Sequence, residues 1–136
     1  MPINQIQDSD TAKCINSCLS CARICIETLY YCLDQKGTAY SGKLLALLQF
    51  CSDACNLSAK LMIAESEFHH QACELSFQLC DTCAVECARY EGDDVIEMCA
   101  EACRDCAEAC RGMAGMTVRM PYHERVERDR GIGARM

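Results

Sequence analysis

Apolar side chains recur along this chain at the three- and four-residue intervals of an α-helix, and cysteine supplies much of that stripe. Alternating β-branched runs of the kind that mark strands are nowhere sustained. Breaks in the pattern divide the chain into four helical segments, expected at about 9–36, 42–64, 67–90 and 93–114. Asp8 or Ser9 is placed to cap the first segment, Ser66 the third and Asp93 the fourth. Gly37 and Gly92 stand where a left-handed residue ends a helix. Long helices joined by short connections predict an all-α fold, an antiparallel up-down-up-down four-helix bundle over residues 1–116. Residues 117–136 hold five arginines, a proline and two glycines without an apolar stripe. This arginine-rich tail reads either as a solvated terminus or as an arm that packs on another subunit.

Advancing by about 100° per residue puts the cysteines of each segment on one face. Cys14, Cys18, Cys21, Cys25 and Cys32 fall within roughly 60° on the first helix. Cys99, Cys103, Cys106 and Cys110 repeat the offsets on the fourth, so C-x3-C-x2-C-x3-C occurs twice in full. Cys73, Cys80, Cys83 and Cys87 share about 80° on the third, and Cys51 and Cys55 lie along one line of the second between Leu44 and Met62. Lys13, Arg23, Glu27 and Asp34 occupy the opposite face of the first helix. The bundle core is therefore expected to be lined with thiols.

Composition turns that pattern into chemistry. The chain has 136 residues, 15 of them cysteine, and a net charge of -7. An acidic protein of this kind is a poor partner for nucleic acid or for an anionic membrane, and no apolar run reaches the length of a membrane span. The start MPINQIQDSDTAK has no basic n-region, apolar segment or twin arginine and reads as cytoplasmic. The alternative is a mature secreted form whose leader was replaced by Met1. An odd cysteine count inside long helices does not resemble a disulfide scaffold, which is loop-rich. Cysteine is worse than alanine or leucine in a helix by about 0.5 kcal/mol per site, on the order of 5–10 kcal/mol over the whole set. That is comparable to the stability of a typical domain, so a bundle selected only to fold would not use it.

A thiol-lined tube suits soft ions: Cu(I), zinc or an iron-sulfur cluster. Four thiolates around zinc or a four-iron cluster leave negative charge in a dry core, at a cost of several kcal/mol per ion. One monovalent Cu(I) per thiolate leaves the filled core near neutral. Ferredoxin spacings do not occur, and the pairs CLSC, CDTC and CRDC lie inside helices rather than at the strand-to-helix turn of a thioredoxin site. No catalytic triad or phosphate loop is recognisable, and His69 and His70 have no H-E-x-x-H context, so no enzyme is expected. The reading is a store for multiple Cu(I) ions with roughly one per cysteine, the competing readings being an iron-sulfur or zinc-thiolate four-helix protein.

With these rows, the chain resembles the bacterial copper storage proteins, specifically their cytosolic branch, over about residues 9–116. The resemblance implies inward-facing cysteines that bind many Cu(I) ions along the bundle axis, and a homotetramer. It makes copper ions the expected partners, with copper chaperones or acceptor enzymes as sources and destinations. An antiparallel bundle would gather Cys14, Met62, His69, Met113 and Met116 at one end. Thioether and imidazole there suit copper passing inward. His69 falls on the cysteine stripe, with His70 turned about 100° away. Leu44, Leu47 and Leu48 form an apolar plug at the other end.

Overall fold

The computed structural model describes residues 9–35 and 39–114. It contains four helices: α1 (Ser9–Asp34), α2 (Gly42–Ile63), α3 (His69–Cys87) and α4 (Asp94–Met113). Each packs against its neighbours in sequence, and α4 closes the ring against α1. Sulfur pairs fix the directions. Cys18 meets Cys110 while Cys25 meets Cys103, and Ser58 meets Ser76 while Cys51 meets Cys80. Ascending numbers on one helix thus face descending numbers on the next, and the bundle is antiparallel. No described helix is long and apolar enough to cross a membrane.

Local chemistry accounts for the helix ends. Ser41, extended at φ -70° and ψ 149°, accepts the Leu44 N–H at 3.0 Å and starts α2. Asp93 does the same for α4, accepting the Ile96 N–H at 3.3 Å, while Glu97 reaches back to the Gly92 N–H at 2.9 Å. Gly92 sits at φ 82°, a conformation glycine adopts without steric cost. The end of α2 is a Schellman turn: Ser66 N–H bonds to Leu61 O and Glu65 N–H to Met62 O, with Glu65 in the left-handed region at φ 54°.

That turn shortens α3 relative to the expected 67–90. Ser66 does not cap the helix; it holds a turn in which its carbonyl accepts the His69 N–H and its hydroxyl accepts the Phe68 N–H. Phe68 occupies the N-cap position with no side-chain bond. At the other end, bonds from Arg89 N–H to Glu86 O and from Tyr90 N–H to Cys87 O tighten the chain out of the helix before Gly92. α1 ends at Asp34 rather than Lys36. The Gly37 cap, Met116 and the arginine-rich tail lie outside the described residues.

A polar and aromatic lid covers the end where α1 and α3 finish. Tyr40 stacks against Tyr31 and Tyr90 and donates its hydroxyl to Asp93 at 2.8 Å. The Ser41 N–H bonds to the Tyr90 hydroxyl at 2.8 Å, and the Ser41 hydroxyl donates to Glu86 at 3.1 Å. Glu86, buried at its rim, also faces Lys43 and Arg89. Beneath this lid Leu44, Leu48 and Ile96 are fully buried. Asp93 therefore both caps α4 and anchors the lid. Asp93→Ala is expected to cost about 1–2 kcal/mol in thermal or denaturant unfolding of the apo protein, while Asp93→Asn, which keeps the cap acceptor, costs less.

Candidate metal centre

All fifteen cysteines are buried and free. Their sulfurs approach one another at 3.5–4.0 Å in many pairs, far beyond the length of a disulfide bond. The two C-x3-C-x2-C-x3-C rows run along α1 and α4 and interleave. Cys14 lies 3.9 Å and Cys18 3.5 Å from Cys110, and Cys106 lies 3.8 Å from Cys18. Cys21 and Cys25 are each 3.9 Å from Cys103. From the other side, Cys55 is 3.5 Å from Cys80 and 3.6 Å from Cys106. Rows belonging to single helices thereby merge into one column.

Tiers can be followed along the axis. Cys73 stands beside Cys14 and Cys110 at the end where α1 begins. Deeper in, Cys21, Cys55, Cys80 and Cys106 form a four-sulfur group, one thiol from each helix, all within 4.8 Å of one another. Cys51, Cys83 and Cys103 form a neighbouring group, and Cys103 also belongs to a third with Cys21 and Cys25. Cys87 and Cys99 adjoin each other below these. Cys32 comes last, close to the Asp93 carboxylate and to Cys99. Sulfurs shared between groups make a continuous ladder of donors in which an ion can be handed from one group to the next.

The Met and His residues gather at the end away from the lid. Met62 is buried, and Met113 is half-buried against the core. His69 lies about one helical turn before Cys73 on α3, and its Nδ1 bonds to Ser66 O at 2.8 Å. A carbonyl only accepts, so Nδ1 carries the proton and Nε2 keeps the lone pair that a metal needs. His70 is exposed where His69 is half-buried. It stacks on His69 with ring centroids 3.9 Å apart, and its Nδ1 bonds to Met113 O at 3.1 Å. Because α3 starts at His69, both rings sit in its first turn at the bundle end.

The chain matches the family model for "Copper storage protein" over residues 7–115. It belongs to the copper storage protein family. Among similar proteins, the cysteine-rich protein YhjQ of Bacillus subtilis is 34% identical over 97 residues, 67% of this chain and 90% of that one. The Cu(I)-bound Bacillus subtilis copper storage protein BsCsp3 superposes with a TM-score of 0.74 at 32% identity, covering 79% of this chain and 100% of that one. A cytosolic copper storage protein from Streptomyces lividans, solved with five coppers, gives 0.73 at 28% identity over 80% of this chain and 95% of that one.

Within this copper storage protein the thiols tune one another. Cys18 is drawn down to about 6, chiefly by the Cys106 thiol and then by Cys110 and Cys14, whose S–H groups stabilise its thiolate. Cys110 is pushed up by the same neighbourhood, Cys106 first, and Cys80 is raised chiefly by Cys106. Toward the two ends of the column, Cys32 and Cys73 are held protonated. Burial pushes Cys32 up to about 11, with help from the Asp93 charge and Cys99. Cys73, although drawn down by Cys110, is raised by Cys14 and burial to about 11.

A thiol whose folded pKa lies above its ordinary value contributes stability that is complete below that value and is lost as pH rises through the folded one. For Cys32 and Cys73 the window runs from 9.0 to about 11. The melting temperature of the reduced apo protein is expected to fall across that window. Copper-loaded protein, whose bound thiolates have no proton left to lose, should show a flatter alkaline limb in the same thermal scans.

Proposed function

We propose that this chain is a cytosolic Cu(I) store that sequesters copper on its inward-facing cysteines, buffers it against toxicity, and acts as a reservoir rather than an enzyme. The observation that carries the choice of metal is the composition of the core. Its buried polar and charged residues among those described are Thr28, Ser52, Ser58, Ser76 and Glu86, without a lysine or arginine. A zinc held by four thiolates in the quartet of Cys21, Cys55, Cys80 and Cys106 would bury an uncompensated double negative charge there. Cu(I) at one ion per thiolate adds no net charge. It also accepts two or three sulfurs, which suits groups that share Cys21 and Cys103. The family and the Cu(I)-bound relatives support the same reading.

Copper reaches the column from the end bearing Met62, His69 and Met113, where neutral thioether and imidazole donors lead to Cys14 and Cys73. Each thiol that takes an ion releases its proton, so binding tightens as pH rises through the acid range. The assembly is a homotetramer, as the family resemblance implies, and copper passes to and from chaperones or acceptor enzymes.

Anaerobic titration against a chromophoric Cu(I) chelator tests the store. The expected capacity is close to one ion per cysteine, about 15. Saturation at only three or four Cu(I) per chain would instead support discrete four-thiolate sites of the zinc type. Visible colour with labile sulfide in the isolated protein would support a cluster. Substituting Met62 and Met113 with leucine and His69 with alanine is expected to slow loading measured by stopped flow while leaving the final capacity unchanged. Unaltered kinetics would move the loading end elsewhere.

A further inference from the structure

The buried hydroxyls of Ser58 and Ser76 have a position in the thiol rows. On α2 the order Cys51, Cys55, Ser58, Met62 has the same three-two-three spacing as Cys14, Cys18, Cys21, Cys25. On α3 the order Ser76, Cys80, Cys83, Cys87 has it again. All four helices therefore carry the same row, and serine stands at one place in each of the middle two. Both serines are fully buried, and their hydroxyl oxygens are 2.7 Å apart.

Register places that pair in one tier with two thiols. Starting from the quartet of Cys21, Cys55, Cys80 and Cys106, a step of about one helical turn toward the Met/His end reaches Cys18, Ser58, Ser76 and Cys110. In this tier Cys18 and Cys110 lie 3.5 Å apart on the α1 and α4 side, and the serines face each other on the α2 and α3 side. The tier itself thus holds two sulfurs, where a full thiol row would give four; Cys14, one turn nearer the mouth, joins Cys18 and Cys110 in a three-sulfur group within 4.8 Å, and the four-sulfur group lies on the other side. Neutral hydroxyls are hard donors with little affinity for Cu(I), and these two satisfy each other by hydrogen bonding.

We propose that the Ser58–Ser76 pair narrows the thiol column to a two-sulfur neck, made by Cys18 and Cys110, through which Cu(I) passes between the mouth and the central thiols. This rests on the storage reading and adds a route to it. Ions cross on the α1 and α4 side, where Cys106 lies 3.8 Å from Cys18 and 3.9 Å from Cys110 and receives them. Ser58 and Ser76 set the path by offering no soft ligand.

The test compares anaerobic Cu(I) loading of four full-length proteins: the natural chain, C18S/C110S, S58C/S76C, and the variant combining all four substitutions. Apo folding of each is checked by circular dichroism and thermal melting. C18S/C110S, with oxygen at every place in the tier, is expected to load at least about tenfold more slowly. Adding the S58C/S76C pair should restore the rate, since thiols on either side of the tier suffice. S58C/S76C alone should bind about two further Cu(I) per chain and load no more slowly than the natural protein. Full-rate loading of C18S/C110S, failure of the added cysteines to rescue it, or unchanged capacity in S58C/S76C overturns the neck. Should C18S/C110S not fold, the gain of capacity in S58C/S76C decides the matter. A natural chain that binds only three or four Cu(I) overturns the storage reading itself, whereas high capacity with an unaffected C18S/C110S rate removes the neck alone.

Discussion

The structure depends on limiting the net charge of a core of fifteen ionisable thiols. Away from water, a lone thiolate is costly, and the described core supplies no lysine or arginine beside the sulfurs to offset one. Two states meet the constraint: thiols that share their protons through S–H contacts, so that a thiolate such as that of Cys18 is stabilised by Cys106, Cys110 and Cys14, and thiolates each matched by a monovalent soft cation. The spacing of the column serves both. Sulfurs 3.5–4.0 Å apart can exchange weak hydrogen bonds, and neighbouring pairs and triads can also converge on a common ion.

Such a core is a weak source of folding energy, because cysteine buries less apolar area than leucine and forms helices less readily. The rest of the bundle reflects this. Larger apolar side chains are concentrated at the lidded end, where Leu44, Leu48 and Ile96 are fully buried. Ser41 and Asp93 each combine helix capping with a bond into the lid, joining the 39–41 connection, the end of α3 and the start of α4. The opposite end carries no comparable network among the described residues. It presents Met62, His69, His70 and Met113, with the two imidazoles bonded to the Ser66 and Met113 carbonyls. One end is fastened by this network, and the other gathers thioether and imidazole groups.

Much of this was legible in the sequence because the helical period and the cysteine spacing carry the same information twice. The inward rows on α1 and α4 follow from spacing alone, and the Asp93 cap from its position before an apolar-periodic run. What was missed has physical causes. The start of α3 shifted to His69 because a non-glycine residue, Glu65, adopts the left-handed conformation of a Schellman turn. The lid escaped notice because Tyr31, Tyr40, Glu86 and Tyr90 come from three separate stretches and no periodic pattern links them. Ser58 and Ser76 were readable in principle. Their spacing matches the cysteine rows, but a search for sulfur alone passes over them.

The central claim is that copper sits on the bundle axis among these sulfurs. Anomalous diffraction at the copper absorption edge, from crystals of anaerobically loaded protein, addresses it directly. The account predicts a string of copper peaks inside the bundle, running from the Cys14 end toward Cys99 and ligated by sulfur. Copper confined to surface carboxylates and histidines, with the interior sulfurs unligated or joined as disulfides, would contradict it.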